Sequence, residues 1–219
     1  MVALLVLATF AVFITVDVLL HREKYQFRVA ENAETKSAQV PIIAGVALPE
    51  TLSYHPGHTW ALDQGNGRIR IGLDEFAVSL LGSIEKIDVP QRGRWLRQGE
   101  KGWTVATERG EVAMLAPAEG EIVALNDKAL AHAQAVSSDP YGAGWLMEIY
   151  SPDTPVSFRN LLSGGLAKRW MEESIAELRM AFSPGVVATA LDGGRIAPQV
   201  GLEVPQERWR ELTRQFFRF

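Results

Sequence analysis

The stretch that decides the fold runs from Trp103 to Asn126 and reads Trp-Thr-Val-Ala-Thr-Glu-Arg-Gly-Glu-Val-Ala-Met-Leu-Ala-Pro-Ala-Glu-Gly-Glu-Ile-Val-Ala-Leu-Asn. Two short apolar runs flank a polar stretch in which Gly110 can adopt the positive φ of a tight turn. Pro117 and Gly120 then mark a second turn before another strand-like run. The pattern predicts a meander of β-strands whose most prominent hairpin presents Arg109 at an exposed tip.

The composition of the chain limits the classes of function. Its 219 residues can hold one core of ordinary size plus appendages. A net charge of −4 and a pI near 5.6 give no basic field, so no nucleic-acid partner is expected. The absence of cysteine excludes disulfides, thiol nucleophiles and cysteine-ligated zinc or iron–sulfur sites.

An apolar run occupies the N-terminus. Met1 to Leu20 contains only two threonines and one aspartate among apolar residues, and about 20 such residues in a helix match a hydrocarbon core of about 30 Å. The run lacks the basic start of a signal peptide, and the charged stretch His21 to Lys24 stands where small cleavage-site residues would be expected. We therefore predict a transmembrane anchor over residues 1–20. The basic residues after it place the globular part in the cytoplasm.

Three segments follow the predicted anchor. Residues 21–52 lack the period of either a helix or a strand and are predicted to be a juxtamembrane segment and tether. Residues 53–153 contain short strands separated by turn signals, which predicts one compact β domain. Within it, Thr59 to Gly72 has the signature of a hairpin, with strict alternation from Arg68 onward. Leu73 to Leu81 is predicted to form a short helix with Asp74 near its start. Residues 154–219 show helical spacing of apolar residues, which predicts a helical C-terminal extension.

The end of the chain, Pro205 to Phe219, has the pattern of a basic amphipathic helix. One side of this helix carries Trp209, Leu212, Phe216 and Phe219. Such a helix packs on its own domain, enters a groove of a partner protein or lies on an anionic bilayer. These four residues, together with Arg109, are the candidates for interaction with a partner.

Five blocks of the sequence carry a family resemblance. They are His58-Thr59-Trp60, Ile71 to Ala77, Leu80 to Gly82, Leu115 to Val123, and Asp139 to Leu146. In order and spacing they resemble the H protein of the glycine cleavage system, from about Ser53 to Asp153. The resemblance implies a mainly β fold with flanking helices, the lipoyl-type barrel-sandwich hybrid built from two small sheets.

The resemblance also implies a site. H proteins hold lipoate in amide linkage to a lysine at a hairpin tip, inside a motif resembling Glu-Ser-x-Lys-Ala. Counted back from Ala116-Pro117, Arg109 stands at the position of that lysine and Ala106 at the position of the glutamate. A guanidinium, with a pKa above about 12, is not an acyl acceptor, and no lysine of the chain lies in a matching motif. We therefore expect no lipoyl group and no other cofactor.

No group with catalytic or metal-binding chemistry stands out in the sequence. It contains no Ser-His-Asp ordering, no phosphate-binding loop and no carboxylate pair in a supporting motif, so we expect a chain that is not an enzyme. His55 and His58 offer two imidazoles in a Pro-Gly turn, which leaves metal binding as an alternative. His58 already belongs to a family block, so the prediction is that there is no metal site.

The features found in the sequence all serve binding: the anchor, the tether, the domain without its prosthetic-group site, and the C-terminal helix with its aromatic and basic residues. We therefore expect a membrane-anchored, non-lipoylated, H-protein-like structural or adaptor subunit of a membrane-associated protein complex. A redox complex is compatible with this expectation, but no residue selects one. One alternative is a lipoyl-type cofactor carrier in glycine cleavage or acyl transfer. Another is a periplasmic adaptor resembling membrane-fusion proteins, although the long helical hairpin of those proteins has no counterpart here.

Overall fold

The structure is a computed structural model that describes residues 40–181, 191–192, 195–196 and 199–219. The strands formed by these residues are β1 (Ile42–Ile43), β2 (Val46–Ala47), β3 (Ser53–His55), β4 (Thr59–Gly65), β5 (Arg68–Leu73), β6 (Ile84–Asp88), β7 (Trp95–Leu96), β8 (Lys101–Thr107), β9 (Gly110–Leu115), β10 (Gly120–Leu125), β11 (Met147–Tyr150), β12 (Leu191–Asp192) and β13 (Arg195–Ile196). The helices are α1 (Glu75–Leu81), α2 (Asp127–Ala131), α3 (Gln134–Ser138), α4 (Thr154–Arg159), α5 (Gly164–Ala181) and α6 (Gln206–Phe217), with a 3-10 helix at Val200–Glu203.

Six strands form the larger sheet, in the order β3-β4-β5-β11-β10-β7 with antiparallel neighbours. The alternating sequence of β5 suits an inner strand, because Ile69 and Ile71 are fully buried while Arg68 and Arg70 point to the opposite face. The turn before β5 is made by three consecutive residues with positive φ, from Gly65 to Gly67. This hairpin was expected from the sequence and is confirmed.

The second sheet contains β6, β8 and β9, with β8 in the middle. Its strands turn Trp103, Val105, Val112 and Met114 into the core, where at most 2% of each side chain is exposed. The two sheets and the helices together make a mainly β half-barrel. This part of the predicted fold agrees with the structure.

Helix α1 follows β5 and begins where the sequence predicts. The carboxylate of Asp74 accepts a hydrogen bond of 2.7 Å from the amide of Ala77, which caps the first turn. Phe76 and Leu80 face the core and are buried. The helix ends at Gly82, whose φ of 77° is favourable for glycine. The end of α1 is therefore held close to the sheets. Its residue Leu80 is contacted by Gly201 and Trp209 of the C-terminal residues.

Residues 40–52, which the sequence places in the tether, pack on the domain. β1 pairs with β2, and Val46, Leu48 and Leu52 are each at least 96% buried. The compact unit formed by the described residues begins at Val40. Apolar residues in the last part of the predicted tether therefore belong to the core of the domain.

No helix of the described residues is both long and apolar enough to cross a membrane. The longest of them, α5, is amphipathic, because its charged side chains alternate with a buried stripe that includes Met171 and Ile175. The predicted fold class was wrong in including one N-terminal transmembrane helix, and the predicted single-pass membrane location with a cytoplasmic domain is corrected with it. The run from Met1 to Leu20 lies outside the described residues.

Candidate functional site

The tip of the β8–β9 hairpin is the position that the sequence marks as functional. Thr107 and Gly110 face each other across the turn, and the hydroxyl of Thr107 donates a hydrogen bond of 3.0 Å to the carbonyl of Gly110. The same hydroxyl accepts the amide of Arg109 at 3.2 Å. Gly110 has a φ of 128°, which favours glycine. The turn is thus tightly defined by its own sequence.

The side chain of Arg109 does not point freely into solvent. Its Nη1 atom donates a hydrogen bond to the carbonyl of Val204, and its Nη2 atom donates one of 2.9 Å to the carbonyl of Leu202. In return, Nε2 of Gln206 donates a hydrogen bond of 2.6 Å to the carbonyl of Arg109. The structure therefore differs from the expectation of an exposed tip, because three hydrogen bonds fasten the tip to the C-terminal residues.

We call residues 199–217, which contribute these contacts, the C-terminal cover. It starts with Gln199 in a left-handed conformation (φ 60°), continues through the 3-10 helix and ends with α6. Val200 and Val204 are buried. A Cβ atom on Gly201 would lie only 1.9 Å from the carbonyl oxygen of Leu80 at the end of α1, so the close approach requires glycine there.

Helix α6 packs its apolar side on the domain. The indole Nε1 of Trp209 donates a hydrogen bond of 2.9 Å to the carbonyl of Leu80, and the ring of Phe216 lies 5.0 Å from that of Phe76 in an edge-to-face arrangement. The side chains of Trp209, Leu212, Phe216 and Phe217 are all at least 96% buried. Phe219, beyond the end of the helix, is 47% exposed. Of the five candidates for interaction, Trp209, Leu212 and Phe216 are therefore buried within this chain. Arg109 is half-buried and Phe219 is exposed.

His58 is a core residue. Its Nδ1 atom lies 2.9 Å from Oδ2 of Asp74, and its ring stacks on Phe76 at 4.1 Å and lies 4.6 Å from the ring of Trp170. Because a carboxylate only accepts hydrogen bonds, Nδ1 of His58 donates to Asp74. The Nε2 atom is buried among aromatic rings and has no hydrogen-bond partner among the residues that the structure describes. Phe76 lies in α1 and Trp170 in α5, so His58 packs both helices against the start of β4.

His55 and His58 do not converge on a common point. Nδ1 of His55 accepts the amide of Gly57 at 3.0 Å, while Nδ1 of His58 is engaged by Asp74. Burial lowers the pKa of His55 to about 4, and the nearby charges of Arg218 and His58 act in the same direction. The described residues contain no group of three His, Cys, Asp or Glu side chains placed to hold a metal ion.

The group that the resemblance implies, lipoate in amide linkage to a lysine, does not fit the residues at the tip. Arg109 has no acylatable amine, and both terminal nitrogens of its guanidinium donate to main-chain carbonyls. The described lysines lie elsewhere, in strands or helices rather than in a hairpin turn: Lys86 in β6, Lys101 in β8, Lys128 in α2 and Lys168 in α5. Lys86 also pairs with Asp88 at 2.5 Å.

The residues that sequence reasoning missed are those that hold Arg109. Leu202 and Val204 contribute only main-chain oxygens, so their side chains give no sign of the contact. Gly201 is the one local signal, because a glycine inside an apolar stretch often marks a close approach of backbone segments. Even that signal does not say which segment approaches.

Comparisons with known proteins agree with this fold. The sequence model of the family described as Glycine cleavage H-protein matches residues 52–174. The glycine cleavage system H protein of Prochlorococcus marinus (strain NATL2A) is 34% identical over 116 residues, which are 53% of this chain and 89% of that protein. The H protein of Mycobacterium avium (strain 104) is 34% identical over 106 residues, 48% of this chain and 80% of that protein.

A solved structure extends the agreement to three dimensions. The crystal structure of a glycine cleavage system H protein from Mycobacterium marinum superimposes with a TM-score of 0.51 and 27% identity, covering 57% of this chain and 98% of that protein. The C-terminal cover lies beyond the residues that the family model matches. From residue 52 to residue 174, more than half of its length, this chain belongs to the glycine cleavage H-protein family.

Proposed function

We propose that this chain is a non-lipoylated H-protein-like subunit that acts by binding other proteins rather than by carrying a lipoyl group at its hairpin tip. The observation that carries the proposal is the engagement of Arg109. The position that the family resemblance assigns to the lipoyl-lysine holds a guanidinium, and that guanidinium donates to the carbonyls of Leu202 and Val204.

Chemistry supports the first half of the proposal. Lipoate attachment needs a primary amine that can lose its proton and attack an activated acyl group. A guanidinium stays protonated at all physiological pH values, and its nitrogens are delocalised. Arg109 is therefore a poor acceptor for the same reason that it is a good hydrogen-bond donor to carbonyl oxygens.

Steric access supports it further. A ligase or a carrier's partner enzyme must reach the tip, and the C-terminal cover lies against it. Burying a large apolar side chain stabilises a fold by roughly 1.5–3 kcal/mol, and the cover buries Trp209, Leu212 and Phe217 almost completely. The cover is therefore an integral part of the fold and not a loosely held flap.

The mass of the intact chain tests the proposal. The full chain is produced together with a lipoate ligase and an excess of lipoate, and a lysine-bearing H protein is produced alongside as the positive control. We expect the control to gain the mass of a lipoyl group and this chain to keep its unmodified mass. A lipoyl increment on this chain at any lysine would overturn the proposal.

The second candidate function is that of a lipoyl-type carrier, which family membership favours. It would require acylation away from the tip, and Lys86, Lys101, Lys128 and Lys168 are the acceptors that the described residues offer. Complementation separates the two functions. We expect the chain not to restore glycine cleavage in a strain that lacks its own H protein, whereas a carrier would restore it, and single Lys→Arg variants would then locate the acceptor.

A further inference from the structure

An exposed row of three side chains crosses the larger sheet, whereas the covered tip belongs to the smaller one. Glu121 on β10 lies directly opposite Trp95 on β7 and directly opposite Tyr150 on β11. Directly opposed residues of antiparallel strands project from the same face of a sheet. Trp95 is 44% exposed, Tyr150 is 47% exposed, and Glu121 is exposed. A carboxylate therefore stands between two accessible aromatic side chains.

The backbone pairing brings the side chains of this row close to one another. The amide of Ile122 donates to the carbonyl of Arg94 at 2.9 Å, which makes Glu121 and Trp95 a non-hydrogen-bonded pair, the kind whose side chains lie nearest each other. On the other side, a Cβ atom on Gly67 would lie 2.8 Å from the ring of Tyr150. The ring of Tyr150 therefore lies over a glycine. With strands about 4.8 Å apart, the two aromatic residues are separated by two strand spacings, or about 10 Å between their backbones.

A cavity of about 140 Å³ adjoins the row. Trp95 and Val156 contribute apolar walls, and Glu119 and Asp153 contribute carboxylates. None of the described residues that line it is a lysine or an arginine. Asp153 accepts a hydrogen bond from the amide of Val156 at 3.2 Å, so one of its oxygens already caps α4. The cavity thus combines aromatic and apolar surface with two carboxylates.

The carboxylates of Glu119 and Glu121 form no hydrogen bond or ion pair with any residue that the structure describes. Positive charges do stand at the borders of the surface. Arg68 is next to Tyr150 in the same row but pairs with Glu148 at 3.4 Å. Arg94 and Arg97 flank Trp95 in sequence and are exposed. No ion pair joins these arginines to Glu119 or Glu121 among the residues that the structure describes.

We propose that the row Trp95–Glu121–Tyr150 and the adjoining cavity bind an arginine side chain presented by a partner protein. The proposal rests on the protein-binding function proposed above and adds the surface and the chemistry of its partner. A guanidinium is planar, stacks on the faces of Trp and Tyr, and donates several hydrogen bonds to carboxylates. Trp, Tyr and Arg are also the side chains that most often dominate protein–protein binding energy.

The charge of the site selects this occupant over others. A purely apolar partner would remove the unpaired carboxylates from water without compensation, which is unfavourable. An acidic partner would bring like charges together. A lysine would satisfy the charge but would present a compact ammonium in place of a plane that fits between aromatic rings. Arginine satisfies both the charge and the shape.

Nuclear magnetic resonance of the full chain tests the proposal with defined probes. The blocked pentapeptides Gly-Gly-Arg-Gly-Gly, Gly-Gly-Lys-Gly-Gly and Gly-Gly-Glu-Gly-Gly are titrated while the indole N–H signal of Trp95, assigned with Trp95→Phe, is followed. We expect saturable movement of that signal with the Arg peptide, weaker binding of the Lys peptide and no binding of the Glu peptide. Equal movement with the Arg and Glu peptides, or no movement with the Arg peptide, would overturn the proposal.

Variants locate the binding. Glu121→Gln keeps the shape of the side chain and removes its charge, and we expect it to raise the Kd of the Arg peptide at least about fivefold, a loss of about 1 kcal/mol. The control is Glu111→Gln, an exposed carboxylate on β9 of the other sheet, which should leave Kd unchanged. An unchanged Kd in Glu121→Gln would refute the assignment. A lipoylated chain that still binds the Arg peptide would refute the proposed function alone.

Discussion

Arg109 Nη1 donates a hydrogen bond to the carbonyl oxygen of Val204, although 95 positions separate the two residues in the chain. This contact joins the tip of the β8–β9 hairpin to a segment that lies outside the family-matched residues. The side chain that the family resemblance aligns with the lipoyl-lysine thereby holds the chain's own C-terminal residues.

Replacing Arg109 should loosen the C-terminal cover. Arg109→Ala removes two charged hydrogen bonds to main-chain carbonyls. We expect it to lower the free energy of unfolding by about 1–2 kcal/mol. This value is at the low end for charged hydrogen bonds because the side chain is only half-buried. Urea unfolding measures the change, and hydrogen exchange should show faster exchange in α6. Arg92→Ala, which breaks the exposed pair with Asp127, should cost less than about 0.5 kcal/mol.

Gly201 should tolerate no side chain. In Gly201→Ala the new methyl group would lie 1.9 Å from the carbonyl oxygen of Leu80, and relieving that overlap should cost about 1–3 kcal/mol. Thermal unfolding followed by circular dichroism measures the loss. Gly165→Ala in α5 is the matched control, because nothing lies within 4 Å of its Cβ position. A loss of equal size in both variants would contradict the close contact.

The aromatic side of α6 should contribute to stability in proportion to its burial. Trp209→Ala removes a buried indole and its hydrogen bond to Leu80, and we expect a loss of about 3–5 kcal/mol in the free energy of unfolding. Phe219→Ala, at a position that is 47% exposed, should change it by less than about 0.5 kcal/mol. Equal effects would mean that the helix does not dock as the structure shows.

Stability should fall as the pH falls from about 6.5 to 4. The pKa of His55 is about 4 in the folded chain, against an ordinary value of 6.5, so the unfolded chain binds the extra proton in this range. The stability that His55 contributes is fully present above pH 6.5 and is lost towards pH 4. After allowance for its partial exposure, we expect a loss of about 1–2 kcal/mol.

The His55→Asn variant supplies the control for the pH dependence, since its amide oxygen can still accept the hydrogen bond of Gly57. We expect its unfolding free energy to change less with pH between 6.5 and 4 than that of the unchanged chain. Urea unfolding at a series of pH values makes the comparison. Parallel pH profiles for the two chains would show that other groups cause the loss.

Local signals explain which parts of the fold the sequence predicts. The glycine turn of β8–β9, the alternation of β5 and the cap of α1 at Asp74 all depend on neighbouring residues, and each appears in the structure. The buried side of α6 was also predicted, except that Phe219 was expected to belong to it. The helix stops at Phe217 because Arg218 adopts a left-handed φ of 59°, so Phe217 is buried in place of Phe219.

Contacts between distant segments explain what the sequence does not predict. The partners of Arg109 are main-chain oxygens, which every residue has, so no residue type marks them. The row of Trp95, Glu121 and Tyr150 depends on the registers of two strand pairs that are set by separate turns. Both features require the assembled fold before they can be seen.

The use of main-chain oxygens by Arg109 has a consequence for how this protein can vary. Substitutions at Leu202 and Val204 leave the two acceptors in place as long as the backbone keeps its path, so their side chains are free to change as far as this contact is concerned. Correlated changes between position 109 and those two positions are therefore not expected among relatives that keep the contact. Relatives that keep the contact should be recognisable by an arginine aligned with Arg109 and a glycine aligned with Gly201.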